Sequence, residues 1–248
     1  MSKHIGIVGC SAEGAALCYR TICQEGSMIM GAHRHPEVTM HTPSLSLYVQ
    51  ALERGDTRAV ADLMLDSARR LLASGAQVLI CPDNTIHQAF ELVRPASPLP
   101  WLHIAEVVAQ TASLQGWTKL GLLGTQWLVN SEVYPDKLAS YGLQCLKPKP
   151  DDGAECSRII MDELVVGEIK PQSRAFLLEV LNYFKQQHCN AVILGCTELP
   201  LILSEADSPL PLLDSTRLLA RAALHLSLQA PAERVLSSSL QHALSMSI

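Results

Sequence analysis

Short apolar, β-branched runs alternate along the chain with longer segments in which apolar residues recur at helical spacing. This alternation is typical of α/β folds, in which helices cover a parallel sheet. The apolar runs predict strands at His4–Val8, Glu37–Thr42, Gln77–Cys81, Leu102–Ile104, Lys119–Leu123, Gln144–Leu146 and Ala191–Leu194. The amphipathic segments predict helices at Glu13–Gln24, Thr57–Ser74, Ile86–Val93, Glu106–Gln115, Ser131–Ser140, Cys156–Val166 and Pro171–Gln187.

The chain also repeats itself. GAQVLICPDNT at Gly75–Thr85 recurs as HCNAVILGCTE at His188–Glu198, and HIGIVGCS recurs as KLGLLGTQ. The repeat places Asp83 in register with Cys196. We therefore predict two pseudo-symmetric, doubly wound parallel-sheet lobes, with a cleft between them that receives one polar turn from each lobe.

The repeat also suggests the domain boundaries. The second unit is expected to cover residues 102–208, and the loop-like KPKPDDG at Lys147–Gly153 lies within it. Residues 209–229 read as a strand followed by a helix, without a counterpart in the second repeat. We expect them to return to residues 1–101 and complete a discontinuous first lobe. Residues 230–248 are weakly amphipathic and are expected to form a tail or an extra helix.

Composition narrows the class of protein. Hydrophobic residues make up 48% of the chain and charged residues 17%, which is typical of a compact protein and not of a disordered one. The net charge of −5, without a basic stripe, argues against a nucleic-acid partner. The apolar runs are too short to cross a bilayer, and a strand begins almost at once, so we predict no signal peptide. The eight cysteines form no CxxC, which favours reduced thiols in the cytoplasm over a zinc site or a disulfide framework.

Cys196 is the strongest candidate for chemistry. It follows the buried run Ala191–Leu194 and a glycine, so it lies at the carboxyl end of a strand, where ligands bind in open α/β sheets. A helix that begins after Cys196 would direct backbone N–H groups at the sulfur and favour the thiolate. The simpler alternative is a small buried residue. Thr197 and Glu198 continue the turn and are expected to contact the substrate.

Asp83 occupies the matching strand end, and two interpretations stay open for it. Aspartate is a preferred residue at the beginning of a helix, so Asp83 could be only an N-cap. It could instead be a second acid/base group. Asn84 and Thr85 offer donors for a substrate carboxylate, although such residues are also ordinary in turns. His87, one helical turn further on, could orient a group in the cleft or simply cover the surface.

Other motifs add little. Gly9 and Gly124 each close a strand and suit a turn where the backbone approaches a ligand, and Thr125 follows the second of them. The chain has no GxGxxG, Walker lysine or GxSxG, so neither a dinucleotide nor a serine hydrolase is indicated. The histidines of HRHP have no carboxylate at a useful spacing, and we predict no metal.

These motifs resemble the aspartate/glutamate racemase superfamily over nearly the whole chain. The similarity is carried by IGIVG, HPEV, DNTIH, PWLHIAE, LLGT with Ser131 and Tyr134, LLDST, and above all LGCTELPL at Leu194–Leu201. The resemblance implies two α/β lobes, no metal, no pyridoxal phosphate or other cofactor, a homodimer, and proton exchange at the α-carbon of a small-molecule substrate, an amino acid or a carboxylic acid.

The chain also departs from this family. Asp83 stands where the family usually has a first cysteine, and Cys81, two residues away, should point into the fold. Ala15, Ala16 and Leu128 replace expected hydroxyls. We therefore predict a racemase or epimerase of an acidic or related amino acid, with Cys196 and Asp83 as opposed acid/base groups. A one-cysteine decarboxylase or isomerase, or a binding protein that has lost catalysis, are the alternatives.

Overall fold

The computed structural model describes residues 2–229 and contains two parallel sheets. In the first sheet, β1 (Ile5–Val8) lies between β2 (Val38–His41) and β3 (Val78–Ile80), and both pairings are parallel. All four residues of β1 and all three of β3 are buried, as expected for strands that are covered on both faces. The α/β fold class predicted from the sequence is therefore confirmed.

The prediction of a strand at Leu102–Ile104 is wrong. Only one isolated parallel bridge forms beside β3, between Leu79 and Trp101. The bridge uses the carbonyl of Pro100 and the N–H of Leu102, which bond to the backbone of Leu79. Helix formation ends the extended segment immediately afterwards, because α5 (Ile104–Leu114) begins at the third residue of the predicted strand.

Several helices flank the first sheet. α1 (Ala12–Met30) begins at Ser11, whose hydroxyl accepts the N–H of Gly14, and it continues six residues beyond its predicted end at Gln24. The helix at Leu45–Glu53, α2, was not predicted, although its apolar residues recur at helical spacing. The remaining elements of this part of the chain are α2 (Leu45–Glu53), α3 (Thr57–Ala73), a 3₁₀ turn (Thr85–Ala89) and α4 (Phe90–Ala96).

The second sheet has four parallel strands. Their order is β5 (Gln144–Leu146), β4 (Lys119–Leu123), β6 (Ala191–Leu194) and β7 (Leu212–Asp214). β4, β5 and β6 have the predicted bounds. β7 corrects the expectation for residues 209–229, because this strand pairs with β6, Leu194 opposite Asp214, and so does not complete the first sheet. In the first unit, the position that corresponds to β7 is taken by the isolated bridge between Trp101 and Leu79 of β3.

The helices around the second sheet bring a further correction. KPKPDDG is not a loop throughout, because α8 (Pro150–Arg158) begins at its second proline, which has no N–H to lose at a helix start. A π-helical turn (Ile159–Glu163) and a 3₁₀ turn (Leu164–Val166) extend α8. The remaining helices of the second half of the chain are α6 (Gln126–Val129), α7 (Val133–Ser140), α9 (Pro171–Gln186), α10 (Leu199–Ile202) and α11 (Ser215–Leu228).

The chain divides into two compact units. Within the described residues, the first contains residues 2–107 together with residues 216–229, and the second contains Val108–Ser215. Within the first unit, α11 is held by the ion pair of Arg221 with Glu25, 2.9 Å, and by a backbone hydrogen bond from Lys3 to Ser227. The predicted tail at residues 230–248 lies outside the described residues. Between residues 2 and 229, no helix has the length and apolarity needed to cross a membrane.

Candidate active site

The turn that follows β6 holds a hydrogen-bonded cluster of three consecutive side chains. The thiol of half-buried Cys196 donates to Oε2 of Glu198 across 2.9 Å. The hydroxyl of Thr197 donates to the same oxygen across 2.6 Å. Thr197 and Glu198 are 4% and 3% exposed, so a buried carboxylate receives two donors while the sulfur beside it stays partly accessible.

This geometry changes the expected activation of Cys196. The helix that follows, α10, has only four residues and begins at Leu199, so it offers little helix dipole to a thiolate. The charged group in contact with the sulfur is instead the carboxylate of Glu198. A carboxylate and a thiolate in contact repel each other, and the observed contact is a hydrogen bond donated by the thiol. Glu198 is therefore placed to take the thiol proton and return it.

Neighbouring strand ends in the second unit support this turn. The hydroxyl of Ser215, directly after β7, donates to the carbonyl of Leu194 across 2.8 Å and so anchors the end of β6. Thr125, directly after Gly124, accepts the N–H of Leu128 and begins α6. The hydroxyl of Thr125 therefore caps a helix in this structure. The sequence analysis includes Ser215 in the motif LLDST but gives it no role, although a serine directly after an apolar run is a recognisable signal for such an anchor.

Leu128 packs against the backbone of these strand ends. Its side chain is fully buried, and its Cδ2 atom approaches the positions that a Cβ would take on Gly124 and on Gly195. At Gly195 such a Cβ would also lie 2.8 Å from the carbonyl oxygen of Leu123. The two glycines are therefore required by the protein's own packing. The position of Leu128 explains why an apolar residue replaces the expected hydroxyl there.

These contacts predict unequal effects for two alanine substitutions. In Gly124→Ala the new methyl meets the end of the Leu128 side chain at 2.8 Å, which can rotate away. In Gly195→Ala it also meets backbone that cannot move. We expect Gly195→Ala to lower the free energy of unfolding by about 2 kcal/mol or more, and Gly124→Ala by less than about 1 kcal/mol. Urea denaturation measures both, and equal losses would show that the backbone contact is not limiting.

Asp83 forms the corresponding turn in the first unit, after β3. Its Oδ1 accepts the N–H groups of Thr85 at 3.1 Å and Ile86 at 3.4 Å. The carboxylate thus caps the 3₁₀ turn, as one of the two interpretations of the sequence expected. The residue is also half-buried and not sealed inside the unit. Capping and acid/base chemistry are compatible here, because both capping bonds use the same carboxylate oxygen.

The other predicted contacts in the first unit differ in accessibility. Asn84 is buried and Thr85 is half-buried. Gly9 does not leave room for a ligand beside its Cα, because a Cβ there would lie 2.6 Å from the hydroxyl of Thr42 and 3.2 Å from the methyl of Ala15. Its lack of a side chain is therefore explained by packing inside the first unit.

His87 is also part of the framework of this turn. The residue is 2% exposed, with Nδ1 2.8 Å from the carbonyl oxygen of Asp83 and Nε2 3.4 Å from the backbone nitrogen of Ile104. The ring stacks on Phe90 and meets His103 edge-on, with centroids 5.6 Å and 4.7 Å away. His87 was predicted to contact the substrate, but the structure buries its ring against the backbone of the turn.

Three of the other cysteines are poor candidates for proton transfer. Cys81 is fully buried and points into the fold as predicted, and burial raises the pKa of its thiol well above the usual value. Burial likewise raises the pKa of Cys145 and of Cys156 to about 12. Thiols of this kind stay protonated near neutral pH, whereas Cys196 is partly accessible and has a carboxylate partner.

Comparison with known proteins finds one family over most of the chain. Residues 7–223 match the model of the Asp/Glu/hydantoin racemase family. The chain is 26% identical over 162 residues to a broad-specificity amino-acid racemase of Bacillus subtilis, a match that covers 64% of this chain and 68% of that protein.

Solved structures give the same result. A crystal structure described as a proposed Asp/Glu racemase from Yersinia pestis is 30% identical, with a TM-score of 0.85 over 92% of this chain and 100% of that chain. An aspartate racemase homologue from Pyrococcus horikoshii is 26% identical, with a TM-score of 0.78 and the same two coverages.

Proposed function

The chain belongs to the Asp/Glu/hydantoin racemase family, and on that basis we propose that it is an amino-acid racemase or epimerase whose acid/base groups are Cys196 and Asp83. Racemases are isomerases, so the reaction inverts one stereocentre without net change in composition. The observation that carries the proposal is the contact of the Cys196 thiol with the buried Glu198 carboxylate, 2.9 Å away.

The first half of the reaction takes place at Cys196. The thiol passes its proton to Oε2 of Glu198, and the resulting thiolate removes the α-proton of the amino acid. The C–H electron pair remains on the substrate as an enolate-like carbanion. Because Thr197 donates to the same Glu198 oxygen, the carboxylate is held in the orientation that faces the sulfur. Repeated exchange between the thiol and water carries solvent hydrogen into the substrate.

The second half requires a proton donor on the opposite face of the carbanion. We assign this role to Asp83, because the sequence repeat puts it at the strand end that corresponds to Cys196. An aspartate with its ordinary pKa near 3.9 is a poor base, and it can return a proton only if its surroundings raise that pKa enough to keep the carboxyl protonated. The proposed enzyme is therefore asymmetric between the two enantiomers.

The substrate follows from the same residues. We propose a compound related to the acidic amino acids but other than plain aspartate, since Asp83, whenever it is ionised, repels a substrate that carries a second negative charge near it. Ala15 and Leu128, both buried, offer no hydroxyl to a side-chain carboxylate. A decarboxylase or isomerase reaction that uses Cys196 alone is the second candidate, and the capping of the 3₁₀ turn by Asp83 favours it.

Wash-out of the α-proton in D₂O tests the proposal, because it reports deprotonation whatever the product is. Candidate amino acids of both chiralities are incubated with the enzyme, and one-dimensional NMR follows the loss of each α-proton signal. We expect at least one amino acid to exchange, with chiral chromatography detecting its enantiomer. A panel of acidic, neutral and basic amino acids without any exchange would contradict the racemase proposal.

Asp83→Asn separates the catalytic role of Asp83 from its capping role. Asparagine is an equally good N-cap, so the free energy of unfolding should change little. If Asp83 is the second acid/base group, we expect racemisation to fall by about 100-fold or more. Wash-out from the enantiomer whose α-proton faces Cys196 should continue, because that step does not need Asp83. The two assays on one variant therefore give different results.

Asp56→Asn is the matched control, because Asp56 caps α3 by accepting the N–H of Ala59 at 2.9 Å. This variant makes the same chemical change at an exposed cap and should racemise like the parent. An Asp83→Asn enzyme with parental racemisation would reduce Asp83 to a cap and favour the one-cysteine reaction.

A further inference from the structure

The two nitrogens of His87 contact backbone groups of opposite kind. Nδ1 is 2.8 Å from a carbonyl oxygen, at Asp83, which can only accept a hydrogen bond. Nε2 is 3.4 Å from an amide nitrogen, at Ile104, which can only donate. The ring must therefore carry its proton on Nδ1 and leave Nε2 unprotonated. This assignment follows from the partners alone, because each backbone group can act in only one way.

The histidine thereby joins two segments that are distant in sequence. One is the turn after β3, and the other is the beginning of α5. Stacking on Phe90 and edge contact with His103 hold the ring plane, and the residue is 2% exposed. The ring is thus immobilised by packing, and these two hydrogen bonds are directed at backbone.

The same turn carries the Asp83 carboxylate. Oδ1 of Asp83 is fixed by the N–H groups of Thr85 and Ile86, and the carbonyl of Asp83 is fixed by His87. The side chain and the backbone of this one residue are therefore held from two directions. If the bond to His87 is lost, the peptide that follows Asp83 can rotate, and the carboxylate turns with it.

We propose that His87 is a positioning residue for Asp83, which sets the direction of its carboxylate by holding its carbonyl. The corresponding position in the second unit is Pro200, which has no side-chain donor. There the Cys196 turn is held instead by Glu198, which accepts from both preceding side chains. The two units thus fix their turns by different means. The expected effect of His87 on racemisation rests on the proposed function, whereas its effect on the position of the Asp83 turn does not.

Two substitutions at His87 separate positioning from bulk packing. In His87→Asn the amide nitrogen takes the place of Nδ1 and can still donate to the carbonyl of Asp83. In His87→Leu the volume is largely kept but both hydrogen bonds are lost. We expect kcat for racemisation to fall by about 100-fold in the leucine variant, as for other displacements of about 1 Å at a reacting group. The asparagine variant should restore most of this loss, and KM should stay within about twofold in both.

Amide hydrogen exchange supplies a readout that does not depend on activity. The N–H groups of Thr85 and Ile86 are bonded to Asp83, so their protection reports the carboxylate's position. We expect protection to be lost in His87→Leu and retained in His87→Asn. If the leucine variant does not fold, His87→Gln replaces it, because glutamine reaches the Nε2 position and leaves the Asp83 carbonyl without its donor.

His4→Gln is the control for a buried histidine outside the site. His4 is 6% exposed, and its Nε2 lies 2.8 Å from the hydroxyl of Thr39 in the neighbouring strand. This variant should lose stability without a change in kcat. Unchanged kcat and unchanged protection in His87→Leu would overturn the inference, as would a loss that appears in KM alone. If no amino acid is racemised by the parent enzyme, the proposed function fails, while the exchange data still decide whether His87 holds the turn.

Discussion

Replacing Cys196 by serine is expected to abolish α-proton exchange while leaving the fold intact. Serine is nearly isosteric, and its hydroxyl can still donate to Glu198, which now lies 2.9 Å from the sulfur. A hydroxyl gives up its proton far less readily than a thiol, so the base is lost although the contact is kept. We expect the rate of wash-out to fall by at least about 100-fold, the lower end of what a positioned base contributes.

Cys23→Ser is the control for this substitution. Cys23 is also half-buried, but it lies within α1 and not in a turn after a strand, and it is beside the exposed Tyr19. Its serine variant should exchange α-protons at the parental rate. Thermal unfolding of both variants shows whether the fold is kept. If Cys196→Ser exchanges α-protons near the parental rate, Cys196 is not part of the mechanism. This member of the family would then not use the family's usual thiol.

Glu198→Gln is expected to give the second largest loss of catalytic turnover. In this variant we expect turnover to fall while the rate of alkylation of Cys196 rises. Glutamine keeps the size of the side chain and can still accept from Thr197, but it cannot take the thiol proton. We therefore expect turnover to fall by about 100-fold. Removal of the adjacent negative charge also makes the thiolate of Cys196 easier to form. Alkylation of Cys196 by iodoacetamide should consequently become faster while catalysis becomes slower.

This opposition distinguishes proton transfer from general damage to the site. A variant with a disordered turn would lose turnover without any systematic gain in thiol reactivity at Cys196 over the other cysteines. Glu179→Gln, on the exposed side of α9, makes the same change far from the turn and should alter neither measurement. Slower alkylation in Glu198→Gln would contradict the electrostatic part of this expectation, because it would show that repulsion by the Glu198 carboxylate does not limit the amount of thiolate in the resting enzyme.

The strands were predicted well where burial leaves little choice. β4 and β6, which are buried apart from Lys119, have the bounds expected from the sequence because the apolar residues of both end at a glycine. β5 also has the expected bounds, although Gln144 is exposed. The start of α8 was missed because a segment with two prolines and two aspartates resembles a loop, although proline and acidic residues are also favoured in a first helical turn. The pairing of β7 was missed because the order of strands in a sheet is a long-range property.

The sequence predicted the positions of Cys196 and Asp83 after buried strands, but not their contacts. Cys196 and Asp83 could be found from the repeat, because a strand end is a position that periodicity reveals. The bond from Cys196 to Glu198 depends on side-chain rotamers in a tight turn, which spacing alone does not specify. His87 presents the same difficulty, since a histidine one turn after an aspartate can face either a ligand or the backbone, and only the position of Ile104 decides between them.

The division of the chain has a consequence for the order in which it can fold during synthesis. Val108–Ser215 is continuous and has left the ribosome's catalytic centre before α11 is made. The first unit begins the chain but is incomplete until α11 is made, because the buried residues Leu219, Ala223 and Leu224 belong to that helix. Domains generally fold as units as they emerge. The middle of this protein can therefore reach its native state while the amino-terminal part still waits for the last helix to arrive.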